Sequence, residues 1–475
     1  MNRTIELHPD EMRALGYRVV DTIVEHLSGL PDRPVARMST RAELETRLRE
    51  PPPEQGRAWS DVLDRVRRDV LGPMTPVTHP RFFAYVPSPG NFVGAMADAL
   101  VSGLNPFAGA WVTASGAAEV ELVTVDWLRQ LCGLPAGAGG AFVSGGSMAN
   151  LTALAVARHQ RLGDDFGRAV VYCSDQAHSS VQRGARVLGF RADQVRTLAS
   201  DDAYRLPPDA LAAAVDQDRA AGRTPFCVVA SAGTTNTGAV DPLADIARIC
   251  RARGLWLHVD GAYGAAAAIT PAGAALLEGM GDADSITLDP HKWLFQPFEC
   301  GCVLVRQAVH LKDAFRLVPE YLRDSDLSTE EVNFRDWGVQ LTRDFKALKL
   351  WMTVQVFGME AIRAAVDWGI HLAEAAEREL RAMEGWEIAT PAQLGIVTFR
   401  HVARGMGDGG TDDHQRAIAA ALLRDGYAML STTELRGRAV LRLCTINPRT
   451  TEDDVRGTVR HLDGIARGVR TEGGR

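Results

Sequence analysis

Four lysines, Lys292, Lys312, Lys346 and Lys349, are all that this 475-residue chain contains, against a total of 52 lysine and arginine residues. An amine that must form a Schiff base can be a lysine but not an arginine, whose guanidinium stays protonated. Lys312, within Ala308–Phe315, and Lys346 and Lys349, within Phe345–Trp351, sit in helical patterns whose ordinary reading is a solvated face. Lys292 differs. It follows the β-like run Ser285-Ile286-Thr287-Leu288-Asp289 and precedes the apolar Trp293-Leu294-Phe295. A lysine between a strand end and an apolar wall is expected to be desolvated, a setting that favours the free, nucleophilic amine.

Upstream, Gly254–Asp260 (GLWLHVD) reads as a buried strand ending in a carboxylate. Ligands of open α/β sheets bind beyond the carboxyl ends of the strands, so Asp260 and Lys292 are expected to face one pocket from two strands. A buried aspartate needs a cationic partner, and a protonated pyridine nitrogen would serve. Taken alone, Asp260 reads as a loop carboxylate capping a helix. Ala141–Ser147 (AFVSGGS) reads as strand, glycine turn and the start of a helix running to about His159. Free N–H groups and the helix dipole there suit an anion, with the Ser147 hydroxyl at the N-cap. An ordinary serine cap after a glycine turn has the same pattern. His178, in Gln176–Ser180, reads on its own as a structural hydrogen-bonder.

HVDGAY at 258–263 followed by DPHKW at 289–293 resembles the group II pyridoxal-phosphate-dependent decarboxylases, the family of aromatic-L-amino-acid decarboxylase. The likeness continues, in the family's order, through His79–Tyr85 (HPRFFAY), Ala114–Leu128, Ser174–Arg183 (SDQAHSSVQR), Ala232–Gly238 (AGTTNTG), Phe315–Leu322 (FRLVPEYL) and Asp336–Trp351. It implies an α/β chain of fold-type-I pyridoxal-phosphate (PLP) transferase architecture. A central, mostly parallel seven-stranded sheet would be flanked by helices, with an N-terminal helical arm and a small C-terminal α/β domain. The implied activity is PLP-dependent decarboxylation of an L-amino acid to its amine and CO₂.

The resemblance also distributes roles. Lys292 would hold the cofactor, Asp260 keep its pyridine nitrogen protonated, and His178 stack on the ring. Tyr321, in a polar stretch Pro319–Phe334 suited to a mobile lid, would protonate Cα. Gly146 and Ser147 would take the phosphate, and Thr234 or Thr235 the cofactor's polar edge. Ala262 belongs to the cofactor motif, and His291 would lie near phosphate or substrate. Asp289 stands where animal relatives carry asparagine, its side chain either on the phosphate or turned away.

Phe83, Tyr85, Val86, Ser88 and Thr342 would face the substrate, with Phe82, Phe107 and Trp111 adding aromatic lining. FFAYVPS replaces the family's FFAYFPT, a wider and less aromatic wall. Thr342 occupies a position where glycine suits indole side chains and serine phenolic ones, which favours phenylalanine, tyrosine or dopa over tryptophan. Rival readings are an acidic or diamino substrate (glutamate, cysteine sulfinate, diaminobutyrate), an aldehyde-forming oxidative decarboxylase, and a catalytically silent PLP-binding protein. Aldehyde-forming relatives tend to carry phenylalanine at the lid tyrosine, so Tyr321 with His178 favours simple decarboxylation.

Composition sets the remaining bounds. A hydrophobic fraction of 46% over this length supports a large core in two or three domains. The formal charge of −7, with no basic block, argues against a nucleic-acid partner. Seven scattered cysteines without a CxxC pair suggest free thiols in a reducing compartment and no metal site. No apolar run approaches the ~20 residues of a membrane helix, and the N-terminus lacks a signal-like apolar stretch, so a cytoplasmic protein is expected. Residues 1–80 read as a helical arm: Met12, Leu15, Val19, Ile23 and Leu27 share one face, Pro51–Gly56 forms a linker, and Trp59–Val70 a further helix. In the resembled family this arm packs on a second subunit, implying a homodimer with shared active sites. Alternating strand-like and helical runs mark 81–365 as the cofactor-binding domain. Residues 366–475, with strands at Gly395–Arg400 and Ala439–Thr445 and a flexible loop at Arg404–Gly410, form the small domain.

Overall fold

Short apolar runs collect into one seven-stranded sheet in the computed structural model, which describes residues 5–317, 331–402 and 408–469. The strands are β1 (Gly139–Val143), β2 (Ala169–Ser174), β3 (Val195–Leu198), β4 (Thr224–Ser231), β5 (Trp256–Asp260), β6 (Ser285–Leu288) and β7 (Gly301–Val305). Their spatial order is β1-β7-β6-β5-β4-β2-β3. β3, β2, β4, β5 and β6 pair in parallel, while β7 runs antiparallel to β6 and β1. Both faces of the sheet are covered, which explains why the strands read as continuous apolar runs. Alternation is still visible in β4, where Val228 and Ala230 enter one core, and Cys227 and Val229 the other.

Helices supply both covers. At the N-terminus lie α1 (Pro9–Ser28), α2 (Arg41–Leu48) and α3 (Trp59–Arg65), followed by α4 (Phe92–Leu104) and α5 (Trp111–Leu131) before the first strand. Then come α6 (Gly146–Leu162), α7 (Ser179–Val187), α8 (Pro208–Ala220), α9 (Leu243–Arg253), α10 (Pro271–Leu276), α11 (Val309–Phe315) and α12 (Ala347–Arg381). Leu154 of α6, Val181 of α7 and Leu311 of α11 pack on one face of the sheet. Leu128 of α5, Leu211 of α8, Ile246 of α9 and Leu350 of α12 pack on the other.

A second, wholly antiparallel sheet, ordered β10-β11-β9-β8, contains β8 (Trp386–Gln393), β9 (Ile396–His401), β10 (Ser431–Leu435) and β11 (Arg438–Cys444). Leu380 of α12, with Leu422 from α13 (Asp408–Asp425) and Leu462 from α14 (Glu452–Gly468), closes its core. No described helix is long and apolar enough to cross a membrane.

Several sequence expectations need correction. The strands absent from the sequence reading, β3, β8 and β10, all lie at sheet edges, where one side of the ladder is open and polar residues are tolerated. The boundary expected at 365 falls inside α12, whose break lies earlier, at Gly358 with φ 75°. Trp59–Val70 is two pieces, α3 and a π-helical turn at Val66–Val70. Asp408, Gly409 and Gly410, expected in a loop, begin α13, while 403–407 lie outside the described residues.

Lys349 is the largest departure. It is 2% exposed, pairs with Asp98 at 3.0 Å and donates toward the carbonyls of Pro297, Phe298 and Glu299. A helix-face lysine thus clamps the loop that follows Lys292. Lys349→Met should lower unfolding free energy by about 3 kcal/mol, since it strands a carboxylate and three carbonyl oxygens. Urea denaturation followed by circular dichroism measures this; an unchanged midpoint would refute the clamp.

Candidate active site

Parallel strands place their C-terminal ends side by side. In register, Ser231 of β4 lies beside Asp260 of β5, and Asp260 beside Thr287 of β6. The turns that leave β1, β2, β4, β5 and β6 enclose a cavity of about 330 Å³, whose walls include Gly146, His178, Thr235, Asp260 and Lys292. One pocket therefore receives groups separated by more than a hundred residues in sequence.

Behind Asp260 lies a buried polar network. Its Oδ2 accepts from Asn150 Nδ2 at 2.8 Å and its Oδ1 from the backbone N–H of Ala262 at 3.2 Å. The second Nδ2 hydrogen of Asn150 goes to Ser180 Oγ at 2.8 Å. Asn150 Oδ1 accepts from Thr287 Oγ1 at 2.6 Å and from His258 Nε2 at 3.0 Å. Ser285 Oγ, which accepts from Trp256 Nε1 at 2.8 Å, lies 2.9 Å from His258 Nδ1. Burial pushes His258 well below the ordinary histidine range, so the ring is neutral.

His178 begins α7. Its Nδ1 lies 2.7 Å from Ser180 Oγ and 3.3 Å from the Ser180 backbone N–H, which leaves Nε2 to carry the proton. Burial lowers its pKa against the opposing pull of Asp260, and His291 is lowered for the same main reason.

Lys292 departs from its expected apolar setting. Its Nζ lies 3.0 Å from Asp289 Oδ2, and that carboxylate is 2% exposed. Asp289 thus turns toward the cavity, with Oδ1 lacking a hydrogen-bond partner among the described residues. His291 Nε2 lies 3.7 Å from the same oxygen. The lysine turn is fixed by His291 N–H to Cys300 O, Gln296 N–H to Pro290 O, and the Ser88 hydroxyl on the His291 carbonyl.

Gly145, not Ser147, is the N-cap of α6, and no side chain caps that helix. Ser147 lies in the first turn, on the cavity wall with Gly146. A Cβ added at Gly146 would sit 2.8 Å from Asp289 Oδ2 and 3.0 Å from the Ala262 Cβ, so only glycine keeps this wall open. Thr234 uses its hydroxyl within its own turn, against Thr237 Oγ1 and the N–H of Ala239. Thr235 is the exposed threonine of the pair, also on the cavity wall. Asp241, pushed up to about 6 by burial, braces the end of β4 by accepting from the N–H groups of Ser231 and Leu206.

The expected substrate residues are not on this wall. Phe83 is buried in the small-domain core with Leu372 and Phe399, because its strand-like segment pairs with Met429. Ser88 is spent on the lysine turn. Val86 packs on the main core, while Tyr85 and Thr342 are exposed. Of the further aromatic lining, Phe82 packs with Val35 and Ala84, and Trp111 beside Phe334. Tyr321 lies outside the described residues. Sequence reasoning missed Asn150, Ser180 and Thr287; the polar residues inside otherwise apolar strand and helix runs were the available signal.

Residues 42–402 match the family model described as the pyridoxal-dependent decarboxylase conserved domain. The chain is 46% identical to the aromatic-L-amino-acid decarboxylase of Bacillus atrophaeus, over 99% of this chain and 98% of that one. It is 32% identical to a phenylacetaldehyde synthase of Arabidopsis thaliana, over 94% and 93% respectively. A solved structure of Oryza sativa TDC with PLP and tryptamine superposes with a TM-score of 0.93 at 29% identity, covering 98% of this chain and 99% of that one.

Because folding depresses the His258 pKa, the unfolded chain takes up a proton below about 6.5 that the folded chain refuses. That contribution to stability is present above pH 6.5 and is lost as pH falls toward the folded value. His258→Gln removes it, so the stability gap between wild type and variant should narrow from pH 7 to pH 5. Urea midpoints across that range test this, and a gap independent of pH would contradict a neutral buried His258.

Proposed function

The chain belongs to the pyridoxal-dependent decarboxylase family, and on that premise we propose that it converts an aromatic L-amino acid to its amine and CO₂. The observation that carries this reading is the opening of Lys292 and Asp260 onto one cavity from the ends of adjacent strands. The cavity fits PLP: a primary amine stands beside an uncapped helix start for the phosphate, with the wall kept open at Gly146. Once bound, this cofactor supplies the electron sink for the pair left behind as CO₂ departs. Lys292 would hold it, and Asp260 would keep a proton on its ring nitrogen. Gly146, Ser147 and the N-terminal turn of α6 would take its phosphate. His178 would lie on its ring, with Ala262 and Thr235 at its edges. His291 and Asp289 would set the charge around Lys292. From the resemblance, Tyr321 Oη would return a proton to Cα of the substrate.

An aromatic substrate is supported by the 46% identical relative; from the resemblance alone, Thr342, which is exposed and off the cavity wall of the single chain, would favour phenylalanine, tyrosine or dopa over tryptophan. Among the described residues of the cavity wall, Lys292 is the one lysine or arginine, beside Asp260, Asp289 and Glu299. That charge balance disfavours a substrate with a distal carboxylate. We further propose a homodimer sharing active sites. Supporting it, α1 buries no residue in the single chain, and Tyr85 is 62% exposed near the substrate-side segment. Seven buried free cysteines suit a reducing, cytoplasmic location.

CO₂ and amine release across the common amino acids, by PLP-loaded protein, tests the reading. Amines from tyrosine, dopa, phenylalanine or tryptophan are expected, lost to background in Lys292→Ala. Turnover of glutamate or diamino acids alone would refute the substrate class, and bound cofactor without turnover would favour a silent binder. Tyr321→Phe should cut amine formation by about 10²–10⁴-fold, the scale of a lost general acid. In air, with dissolved dioxygen as the two-electron acceptor and water supplying the carbonyl oxygen, aldehyde, ammonia and peroxide should rise in its place; an unchanged amine rate would remove Tyr321 from the proton transfer.

A further inference from the structure

All four hydrogen-bonding positions of the Asn150 amide are used, and their directions are fixed. Trp256 Nε1 can only donate, so Ser285 accepts from it; a carboxylate can only accept, so Asn150 turns Nδ2 to Asp260 and Oδ1 to His258 Nε2, which leaves the Ser285 hydrogen for His258 Nδ1. A buried neutral imidazole accepting at Nδ1 must donate from Nε2, which faces Asn150 Oδ1. Thr287 Oγ1 donates to the same oxygen. With Oδ1 so committed, the two amide hydrogens go to Asp260 and Ser180. A flipped amide would set oxygen against the Asp260 carboxylate and N–H against the His258 N–H. Ser180, having accepted from Asn150, donates onward to His178 Nδ1. Two donor chains therefore leave one buried amide, each ending on a group that faces the cavity.

We propose that Asn150, locked by His258 and Thr287, is a positioning residue that sets the Asp260 carboxylate and the His178 ring together, so that one would meet the nitrogen and the other the face of the cofactor's ring. This rests on the PLP reading above. Asp260 and His178 arrive from different strands, so without a shared anchor their relative orientation would vary independently. The Asn150 amide makes that orientation one degree of freedom. Aligned dipoles along the Trp256–Ser285–His258 chain also add donor character to the amide facing Asp260.

Two variants at the hub and a matched pair at its edge test this. In Asn150→Leu and Asn150→Asp, borohydride should still trap cofactor on Lys292, while the pH midpoint of the bound cofactor's visible absorption shifts. Their kcat should fall by about 10- to 100-fold, the scale for partners that orient a site from behind, with KM little changed. His258→Phe should move both readouts the same way and add little in the Asn150→Leu background. Thr287→Val, a milder lesion should the hub variants fold poorly, should shift the absorption midpoint partway, and Thr287→Ser should recover it. Wild-type absorption and kcat in Asn150→Leu would overturn the proposal, as would Thr287→Val behaving like Thr287→Ser. Wild-type protein that traps no cofactor would instead sink the reading it rests on, and this proposal with it.

Discussion

A carboxylate inside a protein must be satisfied, and the way this chain satisfies Asp260 organises its candidate site. Among the described residues no arginine or lysine pairs with it; the Asn150 amide and the Ala262 backbone N–H hold its two oxygens. Neutral donors hold the anion in place without cancelling its charge. The negative charge is left available to a cation that enters the cavity, which is the state a pyridine nitrogen would require. Everything behind Asp260, from Trp256 through Ser285 and His258 to Asn150, is uncharged at neutral pH. Each donor in that chain meets an acceptor, and Asn150 Oδ1 takes two, from His258 and Thr287.

Lys292 follows a different rule. Its amine faces Asp289 at 3.0 Å, and the turn carrying it is held from outside. Ser88 fixes the His291 carbonyl, Asn91 donates to Phe295 O at 2.7 Å, and Lys349 gathers three carbonyls beyond it. These three residues come from two separate regions of the chain. A turn leaving a strand end has few ladder hydrogen bonds of its own, so side chains from α12 and from the segment before α4 supply the missing partners. One lysine thereby opens onto the cavity and another serves the backbone around it.

The fold was largely legible because burial on both faces writes itself into sequence as continuous apolar runs. β6 takes Ser285–Leu288 of the expected run Ser285–Asp289, and β5 ends at Asp260 as its GLWLHVD run implied. The edge strands β3, β8 and β10 were not legible, because they are largely unburied; β1, also at an edge, is buried along most of its length and was legible. The glycine turn, Asp260 and Lys292 were legible as residue types at or just beyond the ends of apolar runs, whereas His178 was marked only by the family motif. Phe83 was misleading: an aromatic in a matching motif carries no mark of whether it faces a ligand or a core, and packing against Leu372 and Phe399 decided for the core.

By itself the sequence determined where the buried strands of the main sheet run, and that a rare lysine, Lys292, and a carboxylate, Asp260, each stand at or just beyond the end of an apolar run. Those follow from local properties: period, chemistry and the position of a residue at the end of an apolar run. Tertiary structure alone decided that Asp289 turns toward Lys292, that Lys349 is buried, that Thr234 is consumed by its own turn, and that Asn150 joins Asp260 to His178. The Lys349 and Asn150 contacts join segments far apart in sequence, whereas Asp289 and Thr234 act within single turns whose paths the surrounding packing fixes. No local pattern encodes which strand lies next to which, and that adjacency is what brings the donors and acceptors within 3 Å of one another.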